Sequence, residues 1–169
     1  MYNYTDLKRF DEAIKAADVF FNECDKADYS YLDYMYYGHL LEDLKKYDDA
    51  VVQYEKAVEM DPTKTDLYKN ISAAYEQKND YKKAISAYQK YYSSLDKEKQ
   101  TPDLQFQFGR LYYGAGTQPD SLTITVEERK QALASADSVF QVIAVAAPDS
   151  YLGNFWRARA NSALDPETT

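Results

Sequence analysis

The side chains able to do covalent or metal chemistry are few in this sequence and stand apart. His39 is the only histidine and Cys24 the only cysteine. A nucleophile–histidine–acid constellation must therefore run through His39, and no serine or cysteine stands near it in a suggestive context. Cys24 cannot close an internal disulfide, and with His39 as sole nitrogen donor it cannot complete a zinc site of the usual kind. Gly114, Ala115 and Gly116 lack the lysine and hydroxyl residue that would finish a phosphate loop. Asp48 and Asp49 are neighbouring acids, but they fall in the first turn of a helix, where carboxylates favour the helix dipole. Asn3-Tyr4-Thr5 and Asn70-Ile71-Ser72 have the form of glycosylation triplets, the second in mid-helix. These residues point to no catalytic centre, no metal and no cofactor, so the function to look for is recognition.

The elements that would present a recognition surface are written as a repeat from Tyr31 to about Asp96. Shifted by 34 residues, Tyr34 falls on Tyr68, Leu41 on Tyr75, Tyr47 on Tyr81, Ala50 on Ala84, Tyr54 on Tyr88 and Lys56 on Lys90. Within one copy, Tyr34, Tyr37, Gly38 and Leu41 recur at helical spacing, and Ala50, Tyr54 and Ala57 do so again. Lys45, Lys46 and Tyr47 leave room only for a tight turn, so the two helices are antiparallel neighbours. Gly38 carries a helix-interior penalty of about 1 kcal/mol, which close packing of the two helices explains; Ala50, Ser72, Ala84 and Gly109 repeat the small-residue choice.

These residues resemble the tetratricopeptide repeat. Its motif sets an aromatic, a small residue and a second large residue on one helix, then alanine, an aromatic, a small residue and proline on the next. Tyr34, Gly38, Leu41, Ala50, Tyr54, Ala57 and Pro62 supply that order. The copy from Thr65 supplies Tyr68, Ser72, Tyr75, Ala84 and Tyr88, then Tyr91 and Asp96 where alanine and proline belong. The resemblance implies an all-α, right-handed superhelical solenoid of antiparallel helix hairpins. Its units are a partial one over 1–27, repeats over 31–64 and 65–98, a repeat over 102–150 with an inserted loop at about 116–125, and a half unit over 151–164.

The outer units depart from the regular pattern. Met1 to Leu7 reads as the tail of a helix, with Phe10, Ala13, Ala17 and Phe20 on the helix that follows and an insertion near Cys24 to Tyr29. In the third repeat Phe108, Gly109 and Tyr112 are in register, but Ala136, Phe140, Ile143 and Pro148 fit only with about 15 residues inserted after Ala115. Gly116, Pro119 and Asp120 are turn formers, and Thr125 with Glu128 forms a capping box for the next helix. The last helix has two readings: counting from Pro148 puts Asn154 and Ala158 at the aromatic and small positions, whereas a two-residue shift puts Trp156 and Ala160 there. A polar closing element is missing around Phe155 and Trp156, so the expectation is a segment of a longer protein with uncovered terminal helices.

What the resemblance implies about function is a non-catalytic scaffold for a protein or peptide ligand, held in the concave groove that the first helices of successive repeats line. Carried over residue by residue, the candidate groove residues are Met35, Tyr36, His39, Lys69, Asn70, Phe106 and Arg110. Lys69 and Arg110 offer a grip on a carboxylate, and Met35, Tyr36 and Phe106 offer apolar contact. The residues that bind acidic chaperone tails in some members are replaced here by Met35, His39, Asp103 and Gln107, with Asn70 alone retained, which argues against that partner. The alternatives are a structural spacer or self-assembly segment, associating through the terminal helices, and the recognition arm of an enzyme whose catalytic domain lies elsewhere.

Composition narrows the partners. With 28 acidic and 20 basic residues the formal charge is −8, which repels nucleic acid and anionic lipid. No apolar run approaches the roughly 20 residues needed to span a bilayer, and the first ten residues lack the apolar core of a signal peptide. The pattern resembles that of bacterial repeat proteins, and it fits the periplasm or envelope and the cytoplasm equally. Most of the 18 tyrosines fall where an aromatic fills space between helices.

Overall fold

Every regular element among the described residues, 10–23, 29–119 and 124–164, is helical in the computed structural model. In order these are α1 (Phe10–Glu23), α2 (Tyr31–Asp43), α3 (Tyr47–Met60), α4 (Leu67–Gln77), α5 (Tyr81–Ser94), α6 (Pro102–Gly116), α7 (Val126–Ala146) and α8 (Tyr151–Leu164), with a 3₁₀ turn at Lys97–Lys99 before α6. The chain packs as two units, Met1–Lys78 and Asn79–Thr169. The expected helix tail at Met1 to Leu7, the Cys24 to Asp28 part of the first insertion and the Asp120 turn lie outside the described residues.

Unit 1 is built on the α2–α3 hairpin. Asp33 turns back to accept from the Ser30 backbone N–H at 2.8 Å and from its hydroxyl at 2.7 Å, which fixes the start of α2. The hairpin reverses through Lys45, a non-glycine residue in the left-handed region at φ 60°. Its counterpart in the next copy, Asn79, repeats that conformation at φ 59° and opens the second unit. Ala50, Tyr54 and Ala57 of α3 are wholly buried, and Leu67, Ile71 and Ala74 of α4 continue the core. On the other side, Ala13 and Ala17 of α1 pack with Leu40. Phe21 meets Tyr29, Tyr34 and Tyr37 there at centroid distances of 5.1 Å each, a spacing that favours aromatic pairs.

Unit 2 is held by small residues under large ones. A methyl group on Gly114 would come within 2.4 Å of the Tyr81 ring, one on Gly116 within 2.4 Å of Leu133, and one on Gly153 within 2.6 Å of the Ala144 backbone nitrogen. The Tyr88 hydroxyl donates to the Leu104 carbonyl at 3.0 Å, tying α5 to the start of α6. The capping box expected at Thr125 and Glu128 starts α7.

Three details differ from the sequence reading. Gly116, expected as the first loop residue, is the buried last residue of α6. The inserted residues are spent partly in helix: Val126 to Ala136 is a ten-residue step where Tyr47 to Ala50 is a three-residue one, so α7 gains about two turns at its start. Arg129 on one of these added turns donates to the Gln118 carbonyl at 2.6 Å, fastening the connection. In α8 the shifted register holds, with Ala160 buried and Ala158 exposed. Trp156 therefore turns inward rather than forming an uncovered end, because Gly153 lets α8 approach the α7 backbone and carries the indole onto Phe106, Tyr113 and Phe140.

Candidate functional site

In unit 1 two of the candidate residues, His39 and Asn70, are associated with one phenol. Gly38 leaves the space that the Tyr54 ring fills; a methyl group there would lie 2.6 Å from a ring carbon. The ring passes over Gly38 and carries its hydroxyl to the next turn of α2. There it donates to the Glu42 carboxylate at 2.6 Å and lies 2.9 Å from His39 Nδ1. Asn70, from α4, acts on the same phenol electrostatically, opposing the rise of its pKa. One hydroxyl proton serves one acceptor, so with Glu42 taking it His39 donates from Nδ1, and Nε2 is the acceptor while the ring is neutral.

The electrostatics follow from burial. Tyr54 is fully buried, and desolvation, then the hydrogen bond to Glu42, push its phenol well above the ordinary value. It stays protonated at neutral pH and acts as a fixed donor, not as a nucleophile. Glu42 is held below the usual carboxylate range, first by the nearby His39, whose Nδ1 lies 3.9 Å from its oxygen, and, against opposing burial, by the hydrogen bond from Tyr54. On α2 and α4, Met35, Tyr36, His39 and Asn70 are half-buried and Lys69 is exposed. Five of the seven expected residues thus lie on α2 and α4.

The other two, Phe106 and Arg110, lie on α6 in unit 2. Gly109 repeats the device of Gly38: a methyl group on it would lie 2.6 Å from a ring carbon of Phe140. Phe140 has no hydroxyl, so no polar group is carried past Gly109. Phe106 is turned onto this core, with ring centroids 5.8 Å from Phe140 and 5.6 Å from Trp156. Arg110 donates from Nε to Gln107 at 3.0 Å.

Sequence reasoning missed Tyr54, assigned to the core, and Arg159, which lies over the Tyr113 and Trp156 rings. The Tyr54 signal was its pairing with Gly38, the residue next to the only histidine. Gly114, Ala115 and Gly116 are helical, and among the described residues no group of three or more histidine, cysteine or acidic side chains is placed to hold a metal. No described helix is long and apolar enough to cross a membrane.

The tetratricopeptide-repeat family model matches residues 34–64 and 65–94. Among solved structures, the C-terminal part of a TPR repeat-containing protein from Cytophaga hutchinsonii is similar, with a TM-score of 0.68 and 28% identity over 98% of this chain. The chain spans 57% of that structure's length. MamA is similar with a TM-score of 0.53 over 92% of this chain and 85% of its own. At 20% identity that likeness speaks for the fold alone. No curated protein matches the chain.

Proposed function

Because the central units of this chain are tetratricopeptide repeats, generally non-catalytic scaffolds that bind protein partners, we propose that it takes a peptide or protein segment on the α2–α4 face centred on the Tyr54 phenol. One observation carries the reading. His39 and Glu42 are half-exposed, yet both are held by a hydroxyl on a fully buried ring, with Asn70 of α4 acting on the same phenol. Side chains already ordered in this way lose little freedom when a ligand arrives, and preordered polar groups beside apolar ones give a peptide both orientation and contact. Met35 and Tyr36 supply the apolar part. The chain is in this reading a binding module without a catalytic role of its own.

The test is selection of a displayed random-peptide library on the immobilised 169-residue chain, followed by affinity measurements on variants. Met35→Glu and Asn70→Arg are expected to weaken the selected peptides at least tenfold, about 1.4 kcal/mol or more, while Val52→Glu on the exposed side of α3 leaves them unchanged. The reverse pattern would remove the assignment.

Self-association is a second reading with its own observation. Val142 and Val145 of α7 are 52% and 75% exposed, and Tyr151 and Phe155 of α8 are 77% and 48% exposed. Apolar side chains left in water in this number favour a covering partner. Sedimentation across a wide concentration range separates the readings: a monomer throughout disfavours assembly, and association abolished by Val145→Glu with Tyr151→Glu favours it.

A further inference from the structure

We propose that the Arg159 guanidinium is a binding site for a carboxylate of a peptide ligand, with the rings beneath it taking the apolar group next to that carboxylate. The guanidinium lies 4.8 Å from the Trp156 ring centre, 5.3 Å from that of Tyr113 and 5.8 Å from that of Phe155. Two of these rings stand one turn back on α8 and the third comes from α6. Trp156 is itself fixed, against Phe140 at 5.6 Å and Tyr113 at 5.3 Å. A cation over aromatic faces is attracted to them, and here it is attracted to rings that cannot move away.

The ring contacts leave the hydrogen-bonding chemistry of the guanidinium open. The five N–H donors of a guanidinium lie in its plane, in a fork that matches both oxygens of a carboxylate. Contact with the rings occupies none of those donors, and because Arg159 is exposed they are open to solvent. Among the described residues it makes no hydrogen bond or ion pair. The contrast two residues earlier is instructive: Arg157 donates from Nε to Asp137 at 2.9 Å, and Asn161 takes the same oxygen at 2.9 Å. The nearby acid is thus engaged by Arg157, and the acceptor that fits the Arg159 fork has to come from another molecule.

The surroundings select the ligand. Phe155 is 48% exposed and Trp156 and Tyr113 are half-buried, so an apolar side chain beside the carboxylate meets ring surface. The net charge of −8 disfavours polyanions but tolerates one paired carboxylate. A peptide offers such a group as an aspartate or glutamate side chain or as its C-terminus. This site is separate from the α2–α4 face and depends on the scaffold reading only in that the carboxylate is carried by a peptide.

Trp156 is the only tryptophan, so its emission reports on this site. The probes are acetylated and amidated Leu-Glu-Leu, the same peptide with glutamine, acetyl-Leu-Leu with a free C-terminus, and inorganic phosphate. The expected result is a saturable change in emission with the glutamate peptide, the free-carboxyl peptide or both, which tells side-chain from terminal carboxylate. The glutamine peptide should bind at least tenfold more weakly, Arg159→Gln should lose at least tenfold with an unchanged circular dichroism spectrum, and Arg159→Lys should fall between. Equal affinity for glutamate and glutamine, full binding by Arg159→Gln, phosphate bound more tightly than either carboxylate peptide, or no saturation up to about 10 mM would each overturn the proposal. If it fails while library-selected peptides still lose affinity on Asn70→Arg, the scaffold reading stands and this site alone falls.

Discussion

The α2–α3 hairpin of unit 1 and the α6–α7 hairpin of unit 2 share one packing device and put it to different ends. In each, a glycine in the first helix makes room for an aromatic ring of the second, and the approach is the same: an added methyl group would lie 2.6 Å from a ring carbon over both Gly38 and Gly109. In unit 1 the ring is Tyr54, whose hydroxyl emerges to fix a carboxylate and an imidazole. In unit 2 it is Phe140, which ends in an aromatic platform that Arg159 covers. A single phenolic oxygen separates a hairpin that presents fixed polar groups from one that presents rings and a guanidinium. Two hairpins can thus keep a common packing device and still display different chemistry.

Truncating either ring is the severest way to break this comparison. Tyr54 and Phe140 are both fully buried, so Tyr54→Ala and Phe140→Ala should each destabilise the chain by about 3–5 kcal/mol. Denaturant unfolding measures this, and a loss below about 1 kcal/mol for either would show that its hairpin does not depend on the ring. Filling the space beneath is the next step down. Gly38→Ala and Gly109→Ala should cost about 1–3 kcal/mol in overpacking, offset by up to about 1 kcal/mol of helix propensity. The two should be alike; a marked difference would mean that the devices only look equivalent.

Exchanging the hydroxyl sharpens the comparison with the smallest change. Tyr54→Phe removes a hydrogen bond to a charged group and should cost about 1–2 kcal/mol, whereas Phe140→Tyr buries a hydroxyl in an apolar cluster and should cost about 1–3 kcal/mol. The first change also alters the response to acid. Glu42 titrates below its ordinary range in the folded chain. Its contribution is therefore complete above the ordinary glutamate range and is lost as pH falls through the lowered value. Unfolding midpoints of Tyr54→Phe and Glu42→Gln should fall less steeply on the acid side than those of the parent. Parallel curves would mean that the phenol does not stabilise the ionised carboxylate.

What the sequence disclosed was what is local or periodic. The hairpins follow from helical spacing, the start of α7 from Thr125 and Glu128, and the importance of Gly38 and Gly109 from the penalty a glycine carries inside a helix. The filling of those gaps by rings, and the hydroxyl that one ring delivers to His39 and Glu42, depend on a rotamer spanning two helices; Tyr54 alone looks like any buried aromatic. Five of the seven expected recognition residues fall on α2 and α4, which are the first helices of copies one repeat period apart. Trp156 was ambiguous because the sequence allows two registers for α8. The choice rests on Gly153 meeting the Ala144 backbone, a fact about how helices cross that spacing does not contain. Arg159 was invisible for a related reason, as Tyr113 is brought to it by the fold.

The most direct test of these assignments is an NMR titration of the ¹⁵N-labelled chain with a library-selected peptide, read at the His39 ring and the Asn70 side-chain amide. Both resonances should shift first and along the same binding curve, with Tyr54→Phe reducing the response. Shifts confined to the exposed side of α3, at Val52, Glu55 and Glu59, would contradict the account, because ligand would then be held on the surface opposite the groups that Tyr54 fixes.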